Sequence, residues 1–251
     1  MALGKMKVSI ITVCYNSAKT IKYTIESVKN QTYSDIEYIV IDGCSTDDTL
    51  DVLRAYSDSI EVLVSEKDQG LYDAMNKGLT LATGELVGIL NSDDILADNG
   101  TIERIVRAAE SVDGVYGDVG FYDFTLTKKT RHYSSKGFHK AKFSRGFMPA
   151  HPSCYFKRSL INQVGLYSLD FKIAADFDFL VRAFAIPNSS FCYLPEEVVK
   201  MREGGISTSG FSANILLNRE IIQSCRKNGL PCSWLSILSK YPEKIMGLMF
   251  K

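Results

Sequence analysis

Histidine, tryptophan and proline are sparse in this chain, at 3, 1 and 6 of 251 residues. The cysteines at positions 14, 44, 154, 192, 225 and 232 form no Cys-x-x-Cys pair, and no histidine stands at finger spacing from them. A zinc module and a disulfide framework are both excluded, which leaves reduced thiols in a cytosol as the simpler reading. Neither sign of charge is in excess: 29 basic side chains face 29 acidic ones. Long-range attraction for nucleic acid is therefore missing, and no local basic patch stands out to replace it. The run Val8 to Val13 that follows the two N-terminal lysines is too short for a signal peptide or a membrane span, and no transmembrane segment is expected elsewhere. Met1 to Lys5 precede a second methionine and carry no functional weight.

What is present is the composition of a soluble globular protein, 45% hydrophobic and 23% charged, long enough to bury a large core as one domain or as one domain plus an appendage. From residue 6 to about 118, short β-rich runs alternate with stretches of helical period, the pattern of a largely parallel sheet covered by helices. Strands are expected over 8–13, 36–41, 60–65 and 85–90. Helical stripes are expected at Ile21, Ile25 and Val28, at Leu50, Leu53 and Tyr56, at Met75, Leu79 and Ala82, and at Ile102, Ile105, Val106 and Ala109. Ser45 and Asp48 have the spacing of a capping pair for the second helix. Residues 119–150 lack clear periodicity and fit a hairpin or a lid. Beyond them a strand is expected over 151–156, a short helix over 177–184 and a strand over 198–201, then a flexible Glu203-Gly204-Gly205 joint and a helix with Ile215, Leu216, Ile222 and Cys225 apolar.

Polar clusters follow three of the strands. In an open α/β sheet the carboxyl ends of the strands share one edge, so Tyr15, Asp42 and Asp93 should converge there. Asn91-Ser92-Asp93-Asp94 sets two carboxylates side by side, and like charges this close raise each other's pKa unless a cation neutralises them. With only oxygen ligands nearby, that cation would be magnesium or manganese. Taken alone, an Asp-Asp turn is more often a solvated helix cap. Asp42 stands between two readings, a nucleobase acceptor and an ordinary turn residue, while Asp47 and Asp48 suit the helix N-terminus. No glycine fingerprint follows the first strand, where Cys14-Tyr15-Asn16-Ser17 stands, and no Gly-Lys-Ser/Thr sequence occurs. Dinucleotide-dependent oxidoreductases and P-loop enzymes are thereby set aside.

Together the motifs Val8 to Asn16, Ile41 to Asp47 and Asn91 to Asp94 resemble the family 2 glycosyltransferases, whose nucleotide-sugar-binding fold is called GT-A. Glu66 to Gly78 resembles the branch that includes bacterial O-antigen and exopolysaccharide sugar transferases. The resemblance covers roughly residues 6 to 205. It implies an α/β GT-A fold with an open, mostly parallel sheet, a nucleotide-sugar-binding half over 6–118, an acceptor-binding and catalytic-base half over 119–205, and a helical extension over 206–251. It further implies a nucleoside-diphosphate sugar donor, a glycan or lipid-linked acceptor, no nucleic acid, Mg2+ or Mn2+ as cofactor, and a cytoplasmic place, extending to the inner face of the cell membrane.

By the same resemblance Thr12, Tyr15 and Asp42 would hold the nucleoside, Asp68 and the Gly70 turn would complete that pocket, and Asp93 would be the final acid of the metal motif, with Asp94 as an additional acid. Asn91 stands where the family often has aspartate, which leaves open whether Asp93 or Asp94 meets the metal. Ala174-Ala175-Asp176-Phe177-Asp178 resembles the later acidic motif that supplies the base; Ala175 replaces its first acid, so Asp176 is the candidate base and Asp178 more readily orients Arg182. An ordinary helix cap is the alternative for Asp176. His151, between Pro149 and Pro152, would position acceptor or touch the pyrophosphate, against a structural role; Arg202 would reach a diphosphate from a mobile loop, against a surface arginine. The reaction implied is a single displacement with inversion. A degenerate binding subunit, suggested by Asn91 and Ala175, and a sugar nucleotidyltransferase are the rivals. Trp234, Leu238, Tyr241, Ile245 and Leu248 recur near helical spacing among Lys240, Lys244 and Lys251, so the tail either packs on the core or a partner or rests on a membrane surface.

Overall fold

The computed structural model describes residues 6–204 and 211–239. Four parallel strands, β1 (Val8–Cys14), β2 (Ile36–Asp42), β3 (Val62–Ser65) and β4 (Leu86–Ile89), lie in the order β3-β2-β1-β4. Their connections carry the helices α1 (Ile21–Lys29), α2 (Thr49–Ala55) and α3 (Leu71–Leu81). Beyond β4 the sheet becomes mixed. β8 (Tyr155–Lys157) runs antiparallel to both β4 and β6 (Gly114–Tyr122); β9 (Phe191–Arg202) runs parallel to β6, and the two-residue β5 (Ile95–Leu96) closes the edge. β7 (Lys129–Tyr133) folds back on β6 as the hairpin arm of the 119–150 segment. Residue 118 lies within β6, so the two expected halves share a strand.

Alternation along the buried strands sorts the core onto two faces. Val8, Ile10, Tyr38 and Val40 meet α1 and α4 (Thr101–Ala109), whereas Ile11, Val13, Ile39 and Ile41 meet α3 and the later helices. Those are α5 (Arg158–Val164), α6 (Ala175–Ala185) and α7 (Phe211–Lys227). The expected stripes Ile21/Ile25/Val28 and Ile102/Ile105/Val106/Ala109 are buried, each large side chain contributing about 1.5–3 kcal/mol by leaving water.

Three local expectations change. Ser45 does not cap α2: its hydroxyl turns back to the Asp42 carboxylate, and Asp47 accepts from the Thr49 amide instead. Residues 151–153 form a 3₁₀ turn rather than strand, because Pro152 lacks the N–H a strand would donate, and β8 begins only at Tyr155. Arg202 ends β9 and is 6% exposed, so it is neither on a mobile loop nor at the surface. The tail residues 240–251, and residues 205–210 of the joint, lie outside the described residues.

Candidate active site

Parallel pairing levels the ends of the strands: Cys14 is opposite Asp42, and Asp42 opposite Ser65. The loops that follow are stitched together. The Asn16 side chain accepts from the Thr46 amide at 2.8 Å, the Asn16 amide donates to the Ser45 hydroxyl at 2.8 Å, and the hydroxyls of Ser17 and Ser92 meet at 2.9 Å. Hence the loops after β1, β2 and β4 form one polar edge, as the strand order requires.

Asp42 is fully buried at that edge. Its carboxylate takes the Ser65 hydroxyl at 2.6 Å and both the amide and hydroxyl of Ser45. Tyr15, by contrast, is 60% exposed and lies over Gly43. A Cβ at Gly43 would collide with the Asp68 carboxylate, so glycine is what lets Tyr15, the Asp42 turn and Asp68 draw together. Asp68 accepts from the Gly70 amide at 2.9 Å, and Gly70, at φ 118°, occupies a region that L side chains rarely adopt. Thr12 does not face this pocket. It is wholly buried and accepts a hydrogen bond from the Tyr38 hydroxyl at 3.0 Å, because the period-2 alternation of β1 puts it with Ile10 and Cys14 on the face covered by α1 and α4.

The acid pair after β4 divides into two roles. Asp94 is 1% exposed, accepting from the Asn91 side chain at 3.1 Å and the Arg202 amide at 3.2 Å. Burial, and then the neighbouring Asp93 charge, raise its carboxyl well above the ordinary range. Asp93 is half-buried and receives no side-chain hydrogen bond among the described residues; burial raises it too, against the pull of Arg202. Arg202 braces the pair: its Nε donates to the Asp93 carbonyl at 2.8 Å, one terminal nitrogen donates to the Phe124 carbonyl, and the guanidinium lies over Tyr23 and Phe124. Two of the three side-chain nitrogens of Arg202 are thus engaged with protein carbonyls at a buried position, so the structure gives it a bracing role at the acid pair in place of the expected reach from a mobile loop.

No cluster of three or more His, Cys, Asp or Glu side chains able to cage a metal occurs among the described residues. The donor set does fit a hard cation held by one carboxylate, with phosphate oxygens and water filling the other positions. Asp93 is the residue available for that, because Asp94 is already enclosed and bonded.

Asp176 lies in the first turn of α6, after the N-cap Ala174. Its carboxylate accepts from the Phe177 amide at 2.8 Å and from the Tyr72 hydroxyl of α3 at 3.2 Å. Burial raises its pKa; the nearby His151 and these donors oppose the rise. Burial first, and then the Asp176 charge, push the Tyr72 phenol upward, which keeps it a donor. Tyr72 stacks on Tyr167 at 5.9 Å, and Asn76 of α3 pins the Tyr167 backbone through bonds of 2.8 and 2.9 Å. His151 is 7% exposed with Nε2 2.8 Å from the Tyr167 hydroxyl, and burial holds it below the usual imidazole pKa. It lines a small internal cavity with Leu79, Ile89, Cys154 and Phe179 and is not presented at an exposed surface.

Asp178 turns away, as its spacing suggested: it is 1% exposed and binds Arg182, Ser224 and Asn228. Two supports escaped the sequence reading. Tyr72 lies in a motif noted only as a whole, although its position two residues after Gly70 places it in the first turn of α3. Glu220 of α7 accepts the amides of Lys172, Ile173 and Ala174 at 2.9–3.0 Å and fixes the approach to α6; no local pattern foretells such a long-range cap.

Residues 9–165 match the family model described as Glycosyl transferase family 2. A "PGL/p-HBAD biosynthesis glycosyltransferase" of Mycobacterium bovis is 31% identical over 222 residues, covering 86% of this chain and 82% of the relative. An "Uncharacterized glycosyltransferase" of Mycobacterium tuberculosis is 35% identical over 193 residues, 75% of this chain and 74% of the relative. Among solved structures, Staphylococcus aureus TarS 1-349 in complex with UDP-GlcNAc superposes with a TM-score of 0.70 at 20% identity, over 87% of this chain and 66% of that one. The mannosyltransferase PcManGT from Pyrobaculum calidifontis, in complex with GDP-Man and Mn2+, gives 0.66 at 22% identity over 88% and 64%. This chain therefore spans just under two-thirds of the length of those solved chains, and at these identities the likeness speaks to the GT-A fold alone.

Proposed function

Because this chain belongs to glycosyl transferase family 2, we propose that it moves a sugar from a nucleoside diphosphate to a hydroxyl of a glycan or lipid-linked acceptor, with inversion and with a divalent cation. The observation that carries this reading is the half-buried Asp176 carboxylate, held by the hydroxyl of Tyr72 in the first turn of α3, the helix that opens at Gly70 two residues after Asp68.

Tyr15 supplies an exposed ring for a base to pack against, and the partly buried Asp68 supplies a polar acceptor beside it, while the buried Asp42 carboxylate holds the Ser45 turn in place. The neutral Tyr72 hydroxyl and the Phe177 amide hold one oxygen of Asp176, and the other, which has no hydrogen-bond partner among the described residues, is left to take a proton. The acceptor hydroxyl gives that proton to Asp176 as its oxygen bonds to the anomeric carbon. The bond from that carbon to the diphosphate breaks on the opposite face, and its electron pair leaves with the nucleoside diphosphate. Magnesium or manganese, when bound through Asp93, supplies charge stabilisation at the leaving diphosphate. Ala175 removes one acid from the base motif, but the surviving acid is the one paired with Tyr72, which favours an enzyme over a degenerate binding subunit.

The test is thermal stabilisation by a panel of UDP-, GDP- and dTDP-sugars with manganese, since only a ligand that prefers the folded state raises the melting temperature. One donor class should raise it, and nucleoside diphosphate should be released when an acceptor-containing membrane extract is added. A stabilising donor that is never turned over would instead support the binding-subunit reading.

A further inference from the structure

The zero net charge conceals an uneven distribution. Residues 124–145 contain Lys128, Lys129, Arg131, Lys136, Lys140, Lys142 and Arg145 and not one aspartate or glutamate. Balanced totals hid this run at the level of composition; acids elsewhere cancel it. Lys128, Lys136 and Lys140 are exposed and Lys142 is half-exposed, and none of the four has a carboxylate partner among the described residues. Lys129 is paired with Glu197, and Arg145 is tied to the Ser239 hydroxyl and carbonyl at 3.1 Å each.

The Arg145 bonds join the basic run to an apolar one. α8 (Trp234–Leu238) is closed at its start by a Ser233–Ser236 capping box and anchored by the fully buried Ile237. Its other face presents Trp234 at 46%, Leu235 at 82% and Leu238 at 52% exposure. These residues, at i, i+1 and i+4, share one side of the helix. The surface is also close to the chemistry. Phe143, in the 3₁₀ segment Lys140–Arg145 against which α8 packs, contacts the Phe177 ring at 5.5 Å, and Phe177 follows Asp176.

From this juxtaposition we infer that α8 and the Lys136–Arg145 segment form a docking surface for an anionic lipid bilayer, on the side of the molecule where Phe143 packs against α6. An apolar helix face carrying a tryptophan, flanked by unpaired lysines, matches the two layers such a bilayer offers: acyl chains at the level of the indole and anionic headgroups at the level of the cations. The inference goes beyond the transfer reaction and stands on different residues. Residues 240–251, which begin after the C-cap Ser239, lie outside the described residues.

Trp234 is the chain's single tryptophan, so its emission reports this surface without labelling. The full-length protein is titrated with vesicles of phosphatidylcholine alone and with vesicles containing phosphatidylglycerol, at low and high salt, followed by flotation. The expected result is a blue shift and flotation with the anionic vesicles only, weakened by salt. In Lys136→Gln/Lys140→Gln/Lys142→Gln the partition coefficient should fall about a hundredfold, as three surface cations imply. Leu235→Asp/Leu238→Asp should abolish flotation while its circular dichroism and melting temperature match the parent. Unchanged emission with anionic vesicles, or equal flotation of parent and both variants, would overturn the inference. So would a blue shift that appears without lipid as protein concentration rises, since that result would assign the face to a second copy of the chain.

Discussion

Replacing Tyr72 by phenylalanine removes one hydroxyl and leaves the ring that stacks on Tyr167. That hydroxyl donates to Asp176 at 3.2 Å, a long bond for an O–H donor, so its contribution to the carboxylate sits at the low end for charged partners, about 1.5 kcal/mol. A difference of this size between ionised and neutral carboxyl corresponds to about one pH unit. The sign follows from which form is stabilised. Tyr72 favours the anion, so its loss raises a carboxyl that burial has already raised, and the base stays protonated to higher pH. The acid limb of the kcat/KM profile for nucleoside diphosphate release should move up by about one unit, with rates about tenfold lower on that limb. On the plateau, where the carboxyl is ionised in both proteins, rates should nearly coincide. A uniform loss at every pH would show that Tyr72 matters only for packing, and an unmoved acid limb would refute the coupling to Asp176.

Gly43→Ala should raise KM for the donor by about tenfold while leaving the melting temperature near that of the parent, because the atoms nearest the new methyl belong to the Asp68 carboxylate and the exposed Tyr15, side chains that can shift; initial-rate kinetics check this. Glu220→Ala leaves three amides without their acceptor and should cost about 3 kcal/mol in urea unfolding together with most of kcat. Glu220→Gln should recover part of both. Asp93→Asn should lose the manganese-dependent rise in melting temperature that nucleoside diphosphate produces, whereas Asp94→Asn, at an enclosed position, should keep it; equal loss in both would contradict the division of roles. Asp176→Asn should melt higher than the parent near about pH 8, and the gap should close toward about pH 4, as scanning calorimetry can follow. Its carboxyl is raised in the folded state, so the stability it contributes is complete below the ordinary carboxylate range and is lost as pH rises through the raised value.

Much of residues 6–118 was legible because its signals are local. Strand period, helix stripes and the polar clusters at Tyr15, Asp42 and Asp93 each depend on a few neighbouring residues, and parallel register then forces them onto one edge. Side-chain direction was harder to read. Thr12 lies two residues before the strand end and its alternation turns it inward; His151 and Arg202 carry polar groups that suit a ligand equally well as a buried carbonyl or phenol. Only tertiary packing decides between such partners. The supports of Asp176, Tyr72 from α3 and Glu220 from α7, lie 104 residues before it and 44 after it, and no local stretch of sequence contains them together. The basic run over 124–145 was present in the letters but averaged away by counting charge over the whole chain.

The central claim is that Asp176 takes the acceptor proton. It is tested most directly by comparing the parent with Asp176→Asn, using the donor that stabilises the fold and an acceptor-containing membrane extract, and measuring donor binding and nucleoside diphosphate release side by side. The account predicts unchanged donor affinity and release lowered by about a thousandfold or more. Release by Asp176→Asn at a rate comparable with the parent's would contradict it.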